Sequence, residues 1–116
     1  MMVNIRSAAG VHIVELSGEL DANTSPVAQQ QILPLATPGS RILLEMSGVS
    51  FMSSAGLRLI LSMYRQVSAQ KGTIALAGLS EDLKDTMSMT GFLSFFTVYD
   101  TTESGVQALQ AQADGS

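Results

Sequence analysis

The stretch Phe51-Met52-Ser53-Ser54-Ala55-Gly56-Leu57-Arg58 joins two patterns that cannot belong to one element. Before it lies Ile42-Leu43-Leu44-Glu45-Met46, a short and nearly unbroken apolar run. Such a run suits a strand buried on at least one face. After it, Leu57, Ile60, Leu61, Tyr64 and Val67 recur at the i, i+3, i+4, i+7 spacing of a core-facing helix. Two hydroxyls and a glycine therefore fall where a strand hands over to a helix. The first N–H groups of a helix have no intrahelical acceptor, and the positive end of its dipole lies there, so the position favours an anion. A phosphate carried by one of these serines would be stabilised by the backbone and would change the sign of the local surface. That is the chemistry of a switch.

Outward from this junction, strands and helices alternate. Val3-Asn4-Ile5 and Val11–Leu16 read as strands joined by a turn at Ala9-Gly10, the second stopping near Gly18. Asp21–Pro26 reads as a loop ending in a helix start, with Ser25 as N-cap and Pro26 in the first turn. That helix weakens at Pro34 and is over by Pro38-Gly39. The strand Arg41–Met46 and the central helix follow, the helix closing at Lys71-Gly72 with Gly72 as a left-handed cap. Thr73–Ala77 is the next strand. Ser80-Glu81-Asp82-Leu83 opens a helix that stops at Gly91, Phe95–Tyr99 is a last strand, and a final helix runs from about Thr102 through Leu109. An initial hairpin followed by βαβ units predicts an α/β fold: one mixed sheet of four or five strands with about four helices.

Composition narrows the function. With 116 residues, 46% of them hydrophobic and 14% charged, the chain is sized for one domain with a proper core. We expect that domain over residues 1–110, with 111–116 as a flexible tail. Six basic against ten acidic residues give a net charge of −4, which argues against nucleic-acid binding and against an anionic membrane patch. There is no cysteine and a single histidine, His12, so no thiolate or multi-histidine metal site is expected. The seven methionines are scattered through apolar runs and suit core packing. No signal peptide or membrane-spanning run is visible, and a cytoplasmic location is the default. No glycine-rich loop ends in Gly-Lys-Ser/Thr, and no Ser-His-Asp set has plausible neighbours, so no enzymatic activity and no cofactor are expected.

Three motifs carry a family resemblance over nearly the whole chain: Leu16-Ser17-Gly18-Glu19-Leu20-Asp21, Met46–Arg58, and Met87-Ser88-Met89-Thr90-Gly91-Phe92. In this order and spacing the chain resembles STAS domains, in particular the free-standing anti-sigma factor antagonists of bacteria. The resemblance implies a STAS fold, with helices mainly on one face of the sheet, and a protein that works by partner switching; nothing in the sequence demands more than a monomer. The unphosphorylated form binds an anti-sigma factor that is also a serine kinase of the histidine-kinase-like ATPase type. Phosphorylation at the start of the central helix releases it, and a metal-dependent serine phosphatase resets the switch. The acceptor falls on Ser54, with Ser53 as the alternative, because Ser53 stands where the family often has Asp. The implied partner-binding residues are Asp21, Asn23, Met52, Ser53, Ser54, Ala55, Gly56, Arg58 and Leu59. Arg58 lies at i+4 from Ser54, within reach of a phosphate there. Leu59 and Met63 form a second apolar pair off the main stripe, read either as a partner patch or as packing against a neighbouring helix. Two other readings share the same helix start: an accessory subunit docking on the ATPase of an ABC-type lipid transport system, and a weak nucleotide-binding module.

Overall fold

The computed structural model describes residues 1–114, and in them five strands form one sheet in the order β1-β2-β3-β4-β5. β1 (Met2–Ala8) and β2 (Val11–Leu20) form an antiparallel hairpin. Its two-residue turn, Ala9-Gly10, has φ of 54° and 78°. Positive φ at both positions matches the right-handed twist of the flanking strands, and Ala9 tolerates it beside the glycine. From β2 onward all pairings are parallel, through β3 (Arg41–Met52), β4 (Thr73–Ala77) and β5 (Val98–Tyr99).

The helices α1 (Ser25–Ile32), α2 (Ser54–Ala69) and α3 (Glu81–Met89) fill the three parallel crossovers. Each crossover steps to the next strand in the same direction across the sheet. Crossovers of one hand then put all three helices on one face. There Ala28 and Ile32 of α1, Leu57, Ile60, Met63 and Val67 of α2, and Leu83 and Met87 of α3 pack on Val14, Leu16, Ile42, Leu44, Met46 and Leu76. α4 (Thr102–Asp114) follows the last strand and crosses to the other face, where Leu109 and Val106 meet Val11, Ile13, Leu43, Ala75 and Ala77. The small Ala75 and Ala77 leave room for this helix. Three helices thus lie on one face and one on the other.

Several elements differ from their sequence reading. β1 extends to both sides of Val3–Ile5, and β2 continues past Gly18, which takes φ +102° at a register shift instead of ending the strand. β3 likewise runs six residues beyond Met46, to Met52. The N-cap of α1 is Thr24 and not Ser25, because Thr24 C=O already accepts from Ala28 N–H at 3.1 Å. At the end of α2 it is Lys71, not Gly72, that adopts positive φ, 59°. Gly72 is required for space: a Cβ there would stand 2.6 Å from the carbonyl oxygen of Ser40. The final strand is only Val98–Tyr99, since Phe92–Phe95 forms a 3-10 turn whose Phe95 packs on Tyr64 with ring centroids 5.6 Å apart. α4 runs beyond residue 110 as far as Asp114, and residues 115–116 of the expected tail lie outside the described residues.

Candidate functional site

β2 and β3 are parallel neighbours and end in register, Leu20 beside Met52. The loop entering α1 and the junction entering α2 therefore leave the same edge of the sheet side by side. The carbonyl of Leu20 accepts the Ser53 N–H at 2.9 Å and stitches the two exits together. Gly56, in the first turn of α2, seats the helix on this stitch. A Cβ at Gly56 would lie 2.5 Å from the Leu20 carbonyl oxygen and 2.9 Å from Met52 Cγ. The close approach Gly56 permits is therefore to the chain's own strand end.

The two serines divide the work of the helix start. Ser53 is the N-cap, extended at φ −83° and ψ 176°, and its Oγ accepts the Gly56 N–H at 3.4 Å. Its carbonyl accepts the Leu57 N–H at 3.0 Å. Ser54 is the first helical residue, and its side chain is exposed and takes no part in the cap.

Across the stitch lies Asp21. Its Oδ1 accepts the N–H groups of Thr24, at 3.1 Å, and Asn23, at 2.9 Å. These bonds, that from Thr24 foremost, hold the Asp21 carboxyl below its ordinary range, because they favour the charged form. Thr24 Oγ1 in turn donates to the Glu19 carbonyl at 2.8 Å and accepts the Asp21 N–H at 2.9 Å. The edge thus presents a fixed anion, an exposed hydroxyl and the positive end of a sixteen-residue helix.

Of the residues expected at a partner surface, Asp21, Asn23, Ser53, Ser54 and Ala55 gather at this edge, and Arg58 stands exposed one turn further along α2. Met52 and Leu59 correct the expectation. They are 4% and 6% exposed and belong to the core beneath the helix, so they offer no side chain outward. Gly56 is buried as well. The buried arc of α2 is wider than the sequence stripe: it includes Leu59 and Met63, while Leu61 and Tyr64 are half-buried at its margins. Two further residues belong to the edge. Phe51, two positions before the cap, is 52% exposed. Thr24 organises the loop, and its Asp-x-x-Thr spacing from Asp21 is a legible signal for a side chain that closes a turn.

A five-stranded mixed sheet with helices in its parallel crossovers places the chain in the α/β class, and the paired β2 and β3 exits put its candidate site at one edge. The STAS domain model matches residues 2–105, and the chain belongs to that family. It is 32% identical to the anti-sigma-B factor antagonist of Bacillus subtilis (strain 168) over 94 residues, which are 81% of this chain and 86% of that protein. Its fold is similar to that of an anti-sigma factor antagonist from Mycobacterium paratuberculosis, with a TM-score of 0.82 at 23% identity over 94% of this chain and 93% of the other. It is similar also to the anti-sigma factor antagonist SpoIIAA in its unphosphorylated form, with a TM-score of 0.79 at 20% identity over 95% and 97% of the two chains. The Bacillus SpoIIAA solved in its phosphorylated form gives 0.70 at 20% identity over 92% and 98%. Among the described residues no helix is long and apolar enough to cross a membrane.

Proposed function

We propose that this protein is an anti-sigma factor antagonist that works by partner switching in the bacterial cytoplasm, with Ser54 as the phosphorylated residue. The unphosphorylated chain binds an anti-sigma factor that is a serine kinase of the histidine-kinase-like ATPase type. Phosphorylation of Ser54 releases that partner, and a metal-dependent serine phosphatase restores the binding form. The chain itself is a monomeric regulatory module and performs no catalysis.

One observation carries the choice of residue: Ser53 spends its hydroxyl on the helix cap, while Ser54, one position on, holds an exposed hydroxyl with no hydrogen-bond partner among the described residues. The energetics of release follow from charge. Phosphorylation adds about −1.5 to −2 charges and three acceptor oxygens. The helix N-terminus tolerates them, so the fold persists. A partner surface fitted to a neutral hydroxyl, already beside the Asp21 carboxylate, meets a bulky dianion instead. An uncompensated charge buried in an interface costs several kcal/mol, and about 1.4 kcal/mol is already tenfold in affinity.

The test is phosphorylation by the host's own kinase with ATP, read by mass spectrometry of the peptide spanning both serines. Phosphate on Ser54, lost in Ser54→Ala and retained in Ser53→Ala, is the expected result. Phosphate that persists in Ser54→Ala overturns the assignment. A chain never modified at either serine overturns the switch itself.

A further inference from the structure

We infer that Thr24 is a positioning residue of the partner-binding edge: its hydroxyl fixes the Asp21 carboxylate beside Ser54, so that anion and hydroxyl are presented as one rigid epitope to a cationic group of the partner. The inference rests on the proposed partner-switching role and names a determinant of it outside the phosphorylated helix.

The bonding pattern leaves little freedom. A threonine hydroxyl has one proton to give; its shortest acceptor here is the carbonyl of Glu19, the penultimate residue of β2, at 2.8 Å, with Asp21 Oδ1 next at 3.3 Å. Its lone pairs then face the Asp21 N–H, which donates to Thr24 Oγ1 at 2.9 Å. The Thr24 N–H returns to Asp21 Oδ1 at 3.1 Å, joined by the Asn23 N–H at 2.9 Å. Residues 19, 21 and 24 are thereby tied in a closed circuit, half-buried at Thr24 and Asp21 and exposed at Glu19. Oδ1 is occupied by two N–H donors, which leaves Oδ2 for an incoming group. Leu20, enclosed by the circuit, carries the carbonyl that holds Ser53 N–H at 2.9 Å, and its buried side chain packs at Gly56. The hydroxyl of Thr24 therefore sets the loop, the loop sets the Asp21 carboxylate, and the same strand end sets the start of α2. Preorganising an anion in this way saves the cost of ordering it on binding, and charged hydrogen bonds depend steeply on geometry.

Thr24→Val keeps the shape of the side chain and removes only the hydroxyl. With the host kinase, we expect Thr24→Val to raise the KM for this protein as substrate about tenfold at unchanged kcat, the loss of one well-placed charge-assisted hydrogen bond. Thr24→Ser should restore it. On an Asp21→Asn background, which itself raises KM, Thr24→Val should add nothing, because Thr24 acts through that carboxylate. A second readout needs no kinase: carbon-13 NMR titration of the Asp21 carboxyl should show its pKa rising in Thr24→Val and recovering in Thr24→Ser. An unchanged Asp21 titration in Thr24→Val overturns the inference, as does an equal KM penalty with and without Asp21. An unchanged KM in Asp21→Asn removes the Asp21 contact from the proposed function, and this inference falls with it. Failure of phosphorylation altogether would strike the proposed function while the NMR titration still decides whether Thr24 holds the carboxylate.

Discussion

The Ser53 N–H donates to the Leu20 carbonyl at 2.9 Å, so the cap of α2 is hydrogen-bonded to the last residue of the neighbouring parallel strand. This single bond makes the β2 and β3 exits one unit. It also consumes one of the donors a helix start leaves free and fixes the direction in which the next residue, Ser54, points its backbone. The two adjacent serines are consequently unequal. Ser53→Ala loses the capping oxygen and should cost about 0.5–1 kcal/mol, in the lower part of the usual range because the Oγ to Gly56 N–H contact is long at 3.4 Å. Ser54→Ala should stay within about 0.5 kcal/mol of the parent. Urea denaturation of both variants checks this, and equal costs would contradict the division of roles.

Gly56 should be intolerant of any side chain. A Cβ would lie 2.5 Å from the Leu20 carbonyl oxygen, and a backbone atom in a sheet cannot rotate away as a side chain can. Gly56→Ala gains a little helix propensity but must shift the first turn of α2. We expect a net loss of about 1–3 kcal/mol, seen as a fall in Tm of several degrees. The same shift moves Ser54, so phosphorylation should slow in this variant even where it remains folded.

Leu59 and Phe51 should differ in what their loss costs, the first in stability and the second in partner binding. Leu59 is 6% exposed in the core, and Leu59→Ala should cost about 2–5 kcal/mol by the cavity it leaves. Phe51 is 52% exposed beside the cap. Phe51→Ala should alter stability far less and weaken partner binding, since exposed aromatics at a contact edge carry a large share of interface energy. Calorimetry on the two variants, with and without the partner, separates these outcomes.

The acid limb of the stability curve should carry the signature of Asp21. Hydrogen bonds from Thr24 and Asn23 depress its pKa in the folded chain relative to the unfolded one. A depressed carboxyl contributes stability that is fully present above the unfolded pKa and is lost as pH falls through the folded value. Stability should therefore be flat in this contribution near neutral pH and decline only in the acid region, below the ordinary carboxylate range. Asp21→Asn should flatten that decline. Denaturation midpoints measured from neutral to strongly acid pH decide it, and a parent and variant with parallel acid limbs would contradict it.

Much of this architecture is local enough to be read from residue order. Ala9-Gly10 between two β-rich runs states a hairpin, and Ser80 before Glu81-Asp82-Leu83 states a helix start, which the structure closes with Ser80 Oγ accepting the Leu83 N–H at 3.2 Å. The strand-to-helix handover at Ser53-Ser54 is legible for the same reason: apolar period changes there. What escapes the sequence is set by neighbours far along the chain. α2 lies on the sheet with α1 beside it, so its buried arc is broader than a single stripe and takes in Leu59 and Met63. Phe95 and Phe96 have the composition of a strand, but both pack against Tyr64, and the 3-10 turn that brings them there shortens β5 to Val98–Tyr99. At the site, the helix start is local chemistry, whereas bringing the Asp21 loop and the Ser54 helix start to one edge of the sheet depends on β2 and β3 ending in register.

Arg58 supplies the last prediction. It is exposed on α2 at i+4 from Ser54, on the same face of the helix, and among the described residues the ion pairs are Arg6 with Glu15 and Lys84 with Glu81. A phosphate on Ser54 would find there a guanidinium one turn away, opposite in sign and able to donate two parallel hydrogen bonds. The Asp21 carboxylate across the Leu20–Ser53 bond acts in the other direction, repelling the dianion. With phosphoserine installed at position 54, phosphorus-31 NMR titration should give a lower second phosphate pKa in the parent than in Arg58→Gln, because a neighbouring cation favours the dianionic form. Asp21→Asn should move the same pKa down, since it removes a neighbouring negative charge. Arg58→Lys should fall between the parent and Arg58→Gln, keeping the charge but losing the planar fork. A phosphate pKa indifferent to Arg58 would mean that the helix N-terminus alone carries the anion, and that the arginine is free for the partner.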